Sequence, residues 1–128
     1  MTDDDTLLDH AYMRDNYLAV GFGALLRDVL AMLNQQAGTN LAAIQDALAH
    51  RDWATLAEQG HSLKGSAGSV GANLLAAEAE QLEEVAPSGD MTVIAPLVAQ
   101  LARTVARTQA AIAAELTAPD RSGSGTNR

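Results

Sequence analysis

The last long segment of the chain constrains the fold most. From about Asp90 or Thr92 to Leu116, Ile94, Leu97, Leu101, Val105, Ile112 and Leu116 recur at helical spacing, which gathers side chains onto one face of an α-helix. A helix with one apolar stripe of this length must bury it against other elements. The rest of the sequence supplies helices for that purpose and no strand signal. Aromatic residues make up only 3% of the chain while apolar residues reach 48%, so the core is built from Ala, Leu, Val and Ile. Ala and Leu lead the helix scale, whereas aromatic and β-branched residues lead the strand scale. Pro96 is the one awkward residue in the stripe: either it falls near enough to the first turn for its missing N–H to be harmless, or it kinks the helix.

The same period runs through the preceding segments. A short helix is expected over Leu7 to Arg14. A second is expected from about Tyr17 to Gln36, with Val20, Ala24, Val29 or Leu30 and Leu33 on its apolar side and its start weakened by Gly21 and Gly23. Gly38, Thr39 and Asn40 read as a break, with Thr39 or Asn40 capping a segment Leu41 to Ala49. Asp52 opens a long helix to about Gly68 or Val70, with Trp53 as a packing residue in its first turn. Leu74 to Ala86 forms another helix, stopped by Pro87, Ser88 and Gly89. The expected fold is all-α: an up-and-down antiparallel four-helix bundle with an additional short N-terminal helix. Residues 1–116 form the bundle, and 117–128, with Pro119, Ser122, Gly123, Ser124 and Gly125, read as a flexible tail.

Length and charge narrow the function. A chain of 128 residues is one domain that needs no staple to fold. A net charge of −8 with no basic patch speaks against nucleic acid and anionic membranes as partners. With no cysteine, disulfides, thiolate zinc sites and Cys nucleophiles are excluded. An acidic start, Met1 to Asp5, and the lack of an 18-residue apolar run give the expectation of a soluble, cytoplasmic domain. No surplus apolar stripe demands a dimer, so a monomer is expected.

Chemistry concentrates in His61-Ser-Leu-Lys-Gly-Ser-Ala-Gly-Ser-Val-Gly71. Leu56, Leu63, Ala67, Val70 and then Leu74 form a buried stripe, and His61 sits off it. Lys64, Gly65 and Gly68 follow the histidine at three, four and seven residues, on its face of the helix. Glycine inside a helix costs about 1 kcal/mol relative to Ala; here it bares backbone beside an exposed imidazole, where another protein can approach closely. Lys64 is the only lysine in the chain. The arrangement suggests phosphoryl transfer through the imidazole, whose ordinary pKa leaves a ring nitrogen free as a nucleophile at neutral pH. To direct attack through Nε2, Nδ1–H needs a fixed acceptor. The neighbouring helix offers Glu78, Glu80, Glu83 and Glu84; Glu83, on the flank of the Leu75, Ala79, Leu82 stripe, is best placed, and Glu80 points further out.

The segment from His61 to Ala72 closely resembles the signature of histidine phosphotransfer (HPt) domains, which include the phosphorylated domain of chemotaxis kinases. The resemblance is specific from His61 to Glu83 and looser from about Tyr17 to Leu116. It implies that His61 is the phosphoacceptor, that Lys64 assists the phosphoryl group or the docking partner, and that Gly65 leaves room for the partner's active site. The family often places Glu or Gln 22 residues after the histidine, bonded to the ring, which is Glu83 here. One departure stands out: Gly60 occupies the position before the histidine that is commonly Ala, which reads as added local weakness in the helix holding His61. The implied partners are receiver domains of response regulators and a sensor or hybrid kinase. No cofactor or metal site of its own is implied, Mg²⁺ being expected from the receiver.

Plainer readings compete with each residue. A lone histidine is most often a surface residue, Gly65 and Gly68 could be helix–helix contact points, and a glutamate on such a helix is usually solvated. His10 and His50 carry no supporting pattern beyond a favourable place for His50 at a helix C-terminus. Gly60 to Ser66 is not a phosphate loop, because Ser66 stands where that motif needs Lys. Two alternatives to the relay remain open: the phosphoacceptor domain of a chemotaxis-type kinase, and a non-phosphorylated helical adaptor.

Overall fold

The computed structural model describes residues 7–118. They hold five α-helices and no strand: α1 (His10–Met13), α2 (Gly23–Ala49), α3 (Trp53–Gly68), α4 (Asn73–Val85) and α5 (Met91–Thr117). A π-helical turn, Arg14–Leu18, continues α1, and a 3₁₀ turn, Ala86–Ser88, extends α4. Each long helix packs against its chain neighbours, and α2 against α5 closes the ring. Short turns between long helices produce this up-and-down arrangement, because each helix must reverse to stay on the same core. Of the expected tail, all beyond Ala118 lies outside the described residues.

The core is aliphatic. Leu30, Ile44, Leu56, Leu63, Leu75, Leu82, Ile94, Leu101 and Ile112 are at most 1% exposed. The α5 stripe holds as read, with Val98 joining it and Leu97 and Leu116 packed at its margin. Pro96 is the sixth residue of α5, past the first turn, and the helix runs on through it to Thr117.

Two expectations about α2 are corrected. First, Gly38, Thr39 and Asn40 do not break the chain: α2 is one helix of 27 residues. Tertiary contacts outweigh the poor local propensity there. Asn40 is buried and donates from Nδ2 to Gln59 Oε1 on α3 at 2.6 Å, and Thr39 Oγ1 bonds back to the Gln35 carbonyl. Gly38 leaves room for Gln109 of α5, whose Nε2 donates to the Asn34 carbonyl at 2.9 Å. Second, residues 17–22 are not α-helical, and Val20 and Ala24 face solvent. Leu26, Leu30 and Leu33 carry the core side instead.

The turns at the two ends of α3 share one geometry. After α2, the Asp52 N–H reaches the Ala47 carbonyl and the Arg51 N–H the Leu48 carbonyl; after α3, Ala72 and Gly71 repeat the pattern onto Ala67 and Gly68. This is the Schellman closure, which needs one left-handed residue. Arg51 (φ 53°) supplies it in the first turn and Gly71 (φ 75°) in the second. Only glycine suits the second: a Cβ on Gly71 would lie 2.9 Å from the Asp9 Cβ. The N-terminal segment is strapped down there through Asp9 N–H to the Gly71 carbonyl (2.9 Å) and Tyr17 Oη to the Ser69 carbonyl (2.8 Å).

Candidate functional site

The buried face of α3 is Leu56, Gly60, Leu63 and Ala67, at four, three and four residues. Gly60 fills what reads in sequence as a seven-residue gap between Leu56 and Leu63. It is not a weak point in an exposed helix, as its place before the histidine suggests. A Cβ built on Gly60 would stand 2.9 Å from the Ala79 carbonyl oxygen and 3.1 Å from the Glu83 nitrogen, so the bare Gly60 backbone lies directly against α4.

One residue on, His61 turns out of the core, and its side chain is 70% exposed. Its Nδ1 lies 2.9 Å from Glu83 Oε2. The other carboxylate oxygen, Oε1, lies 3.0 Å from Lys64 Nζ. One carboxylate therefore spans the imidazole and the ammonium, which sit one turn apart on α3. Lys64 first, and then the His61 ring, hold the Glu83 carboxyl below its ordinary pKa, against the opposing effect of desolvation. Lys64 is correspondingly raised, chiefly by its bond to Glu83. An ionised carboxylate only accepts hydrogen bonds, so Nδ1 is the donor, and in the neutral ring Nε2 keeps its lone pair. Nε2 has no protein partner among the described residues.

The structure thus brings His61, Lys64 and Glu83 together. Gly65 and Gly68 lie on the exposed side of α3, and a Cβ on either would meet nothing within 4 Å. They are not helix–helix contact points. Of the other glutamates on α4, Glu80 and Glu84 are exposed and act on Lys64 only through space. Glu78 is buried, with Gln100 Nε2 at 3.5 Å from its Oε2. His50 caps the end of α2, with Nδ1 2.9 Å from the Asp46 carbonyl oxygen, and His10 pairs with Glu115 of α5 at 3.0 Å. Neither belongs to the site. No group of three or more His, Cys, Asp or Glu able to hold a metal exists among the described residues, and no helix there is long and apolar enough to cross a membrane.

Sequence reasoning missed the groove beside the histidine. Between α2 and α3 lies a cleft of about 340 Å³, bounded by Val29, Met32 and Leu33 on one wall and Ser62, Ser66 and Ser69 on the other. Phe22, Leu25 and Met32 are 52%, 49% and 68% exposed and fall with Val29 on one helical stripe, at spacings of three, four and three. So exposed apolar side chains, Leu25 and Met32 on α2 and Phe22 at its cap, flank a Val29 that packs against the core. The stripe is present in the sequence, but it becomes readable as surplus only once Leu26, Leu30 and Leu33 are known to take the core.

Comparisons with known proteins agree with this geometry. The model of the Hpt domain family matches residues 28–111. No curated protein matches the sequence significantly. Among solved structures, the chain is similar to histidine-containing phosphotransfer protein B (HptB) from Pseudomonas aeruginosa PAO1, with a TM-score of 0.77 and 25% identity over 86% of this chain and 94% of that one. A family match over most of the chain, a helical bundle of the same shape and an exposed histidine oriented by a carboxylate converge, and the chain belongs to the Hpt domain family, the phosphotransfer domains of two-component phosphorelays.

Proposed function

We propose that His61 is the residue that receives and passes on the phosphoryl group, between the aspartate of one receiver domain, or a sensor kinase, and the aspartate of another receiver. The observation that carries this reading is the 2.9 Å contact between His61 Nδ1 and Glu83 on an otherwise exposed ring. With Nδ1 protonated, the Nε2 lone pair attacks the phosphorus of an aspartyl phosphate; the N–P bond forms as the bond to the aspartate oxygen breaks, and the carboxylate leaves. The ring then carries positive charge, which the Glu83 carboxylate offsets. In the reverse step the receiver aspartate attacks the same phosphorus and the neutral imidazole leaves.

Lys64 begins this cycle paired with Glu83 and is placed to turn toward an incoming phosphoryl group, one helical turn from His61. Gly65 and Gly68 leave the backbone bare for the partner's loops, and the Val29–Met32 wall of the groove gives the receiver an apolar seat beside the histidine. The metal ion that shields the phosphoryl charge is expected to come with the receiver. The domain acts in the cytoplasm, as a monomeric carrier.

The test is transfer of labelled phosphate from a panel of phosphorylated receiver domains to the wild type and to His61→Gln. Acid-labile, alkali-stable label on the wild type alone supports the reading. No label on the folded wild type from any receiver or kinase would turn the assignment to a binding scaffold, and equal label on the variant would mean a different acceptor.

A further inference from the structure

We propose that Met32 is an oxidation site that controls receiver docking: a hydroperoxide converts its thioether to the sulfoxide, which makes the apolar wall of the α2–α3 groove polar and weakens the receiver's hold. The proposal rests on the reading of that groove as the receiver's seat beside His61.

Exposure singles this residue out. Met32 is 68% exposed, more than any other large apolar side chain among the described residues. The chain has four methionines. Of the others that the structure describes, Met13 is 2% exposed in the core, and Met91 stands half-buried at the start of α5. A peroxide arriving from water therefore meets the Met32 thioether first. Its place then gives the chemistry a consequence. Met32 shares one wall of the groove with Val29 and Leu33, and Ser62, Ser66 and Ser69 form the other. Ser62 directly follows His61 in α3, so a partner that reaches the imidazole has to pass over this cleft.

The opposite wall makes the change larger than a lost apolar contact. Ser69 Oγ donates to the Ser66 carbonyl at 2.7 Å, whereas the Ser62 and Ser66 side chains border the cleft and each carries a hydroxyl donor. A thioether is a weak acceptor, but a sulfoxide oxygen accepts hydrogen bonds and finds hydroxyl donors across the cleft. In the oxidation itself the sulfur lone pair attacks one oxygen of the hydroperoxide, and the S–O bond forms as the O–O bond breaks. The departing oxygen takes the proton from the one it leaves behind and goes as water or an alcohol. Sulfur loses two electrons and the peroxide gains them. The product is polar, chiral and reducible by methionine sulfoxide reductases, so the change is reversible. Nothing in it touches the 2.9 Å contact between His61 and Glu83, which confines the effect to docking.

The test treats the protein with dilute hydrogen peroxide and reads three quantities. Peptide mass spectrometry locates the sulfoxide, calorimetry gives the affinity for the tightest-binding receiver of the panel, and rapid quench gives the transfer rate at saturating phosphorylated receiver. Met32 is expected to oxidise ahead of Met13 and Met91, and the affinity to fall about fivefold with the saturated rate within about twofold. Methionine sulfoxide reductase with a thiol reductant is expected to restore the affinity. Met32→Leu has no sulfur to oxidise at this position, so its affinity is expected to be the same before and after peroxide, whatever its starting value. Oxidation of Met13 or Met91 ahead of Met32, an affinity unmoved by the Met32 sulfoxide, or an equal loss in treated Met32→Leu would overturn the proposal. So would a loss that tracks a fall in the urea midpoint, since the fold rather than the groove would then have changed. Affinity is read without phosphoryl, so the two readings fail separately. Weaker docking on oxidation with no label on His61 would support the proposal and sink the acceptor; label on His61 with docking untouched by oxidation would do the reverse.

Discussion

Glu83→Ala is the perturbation that separates an oriented imidazole from a merely exposed one. It removes the acceptor 2.9 Å from His61 Nδ1 and the anion 3.0 Å from Lys64 Nζ in one step. Carboxylates that fix the tautomer and orientation of a metal-ligating imidazole contribute roughly 10–100-fold to metal affinity or activity, and a comparable scale is taken for an attacking imidazole. The structure places Glu83 toward the lower end, because the His61 side chain is 70% exposed and water can accept from Nδ1 once the carboxylate is gone. About tenfold slower uptake of phosphoryl from a receiver is therefore expected, with the fold unchanged. Glu83→Gln keeps an oxygen for Nδ1–H but loses the charge that offsets the phosphorylated ring and holds Lys64. Hydrogen bonds to a charged acceptor are roughly twice as strong as neutral ones, so Gln is expected to fall between, near threefold. Rapid-quench measurement with saturating phosphorylated receiver, so that docking does not limit, gives the rates, and the imidazole ¹⁵N shifts give the tautomer. An Ala variant within about twofold of wild type, with the Nδ1–H form still dominant, would refute the orienting role.

Other outcomes follow from the same structure. Met32→Glu, on the exposed wall of the groove, is expected to weaken receiver docking by about fivefold while leaving the His61 tautomer as it is, read by transfer at subsaturating receiver. Arg51→Gly relieves a left-handed non-glycine residue (φ 53°); a gain of about 1 kcal/mol, or roughly 4 °C in Tm, is expected by thermal denaturation, with transfer unaffected. Leu63→Ala, fully buried between His61 and Lys64, is expected to lose about 2–5 kcal/mol in urea unfolding. The Asp9 and Asp52 carboxyls are lowered chiefly by hydrogen bonds from Tyr12 and Thr55, and Glu83 chiefly by Lys64. Groups depressed on folding stabilise above their unfolded pKa values, about 4, and lose that contribution as pH falls through the folded ones. The urea midpoint is expected to be insensitive to these groups between pH 7 and 5 (roughly) and to drop below about pH 4.

Much of the site was legible because its signals are local. His61, Lys64, Gly65 and Gly68 share one helix, and spacing along a helix fixes which residues share a face. Glu83 was reachable because its helix announces its buried side through Leu75, Ala79 and Leu82, which leaves few glutamates in range. The break read at Gly38–Asn40 failed for the opposite reason. Its propensity signal is worth about 1 kcal/mol, less than what is gained by burying Asn40 on Gln59 and fitting Gln109 against Asn34, contacts that join residues far apart in the chain.

Gly60 and the α2 groove mark the same boundary. In sequence Gly60 is a departure at a position next to a histidine; only the packed helices show that its missing Cβ is occupied by the backbone of Ala79 and Glu83. Likewise, Phe22, Leu25 and Met32 look like any apolar residues of an amphipathic helix until the bundle closes with them exposed. The sequence alone determined the all-α class, most of the helical segments, and which residues share the outer face of α3 with His61, because periodicity and spacing act within a turn or two of chain. Tertiary structure decided how near the two helices came, that one carboxylate spans both His61 and Lys64, and which apolar residues stayed exposed, because those depend on distances between elements that no local pattern encodes.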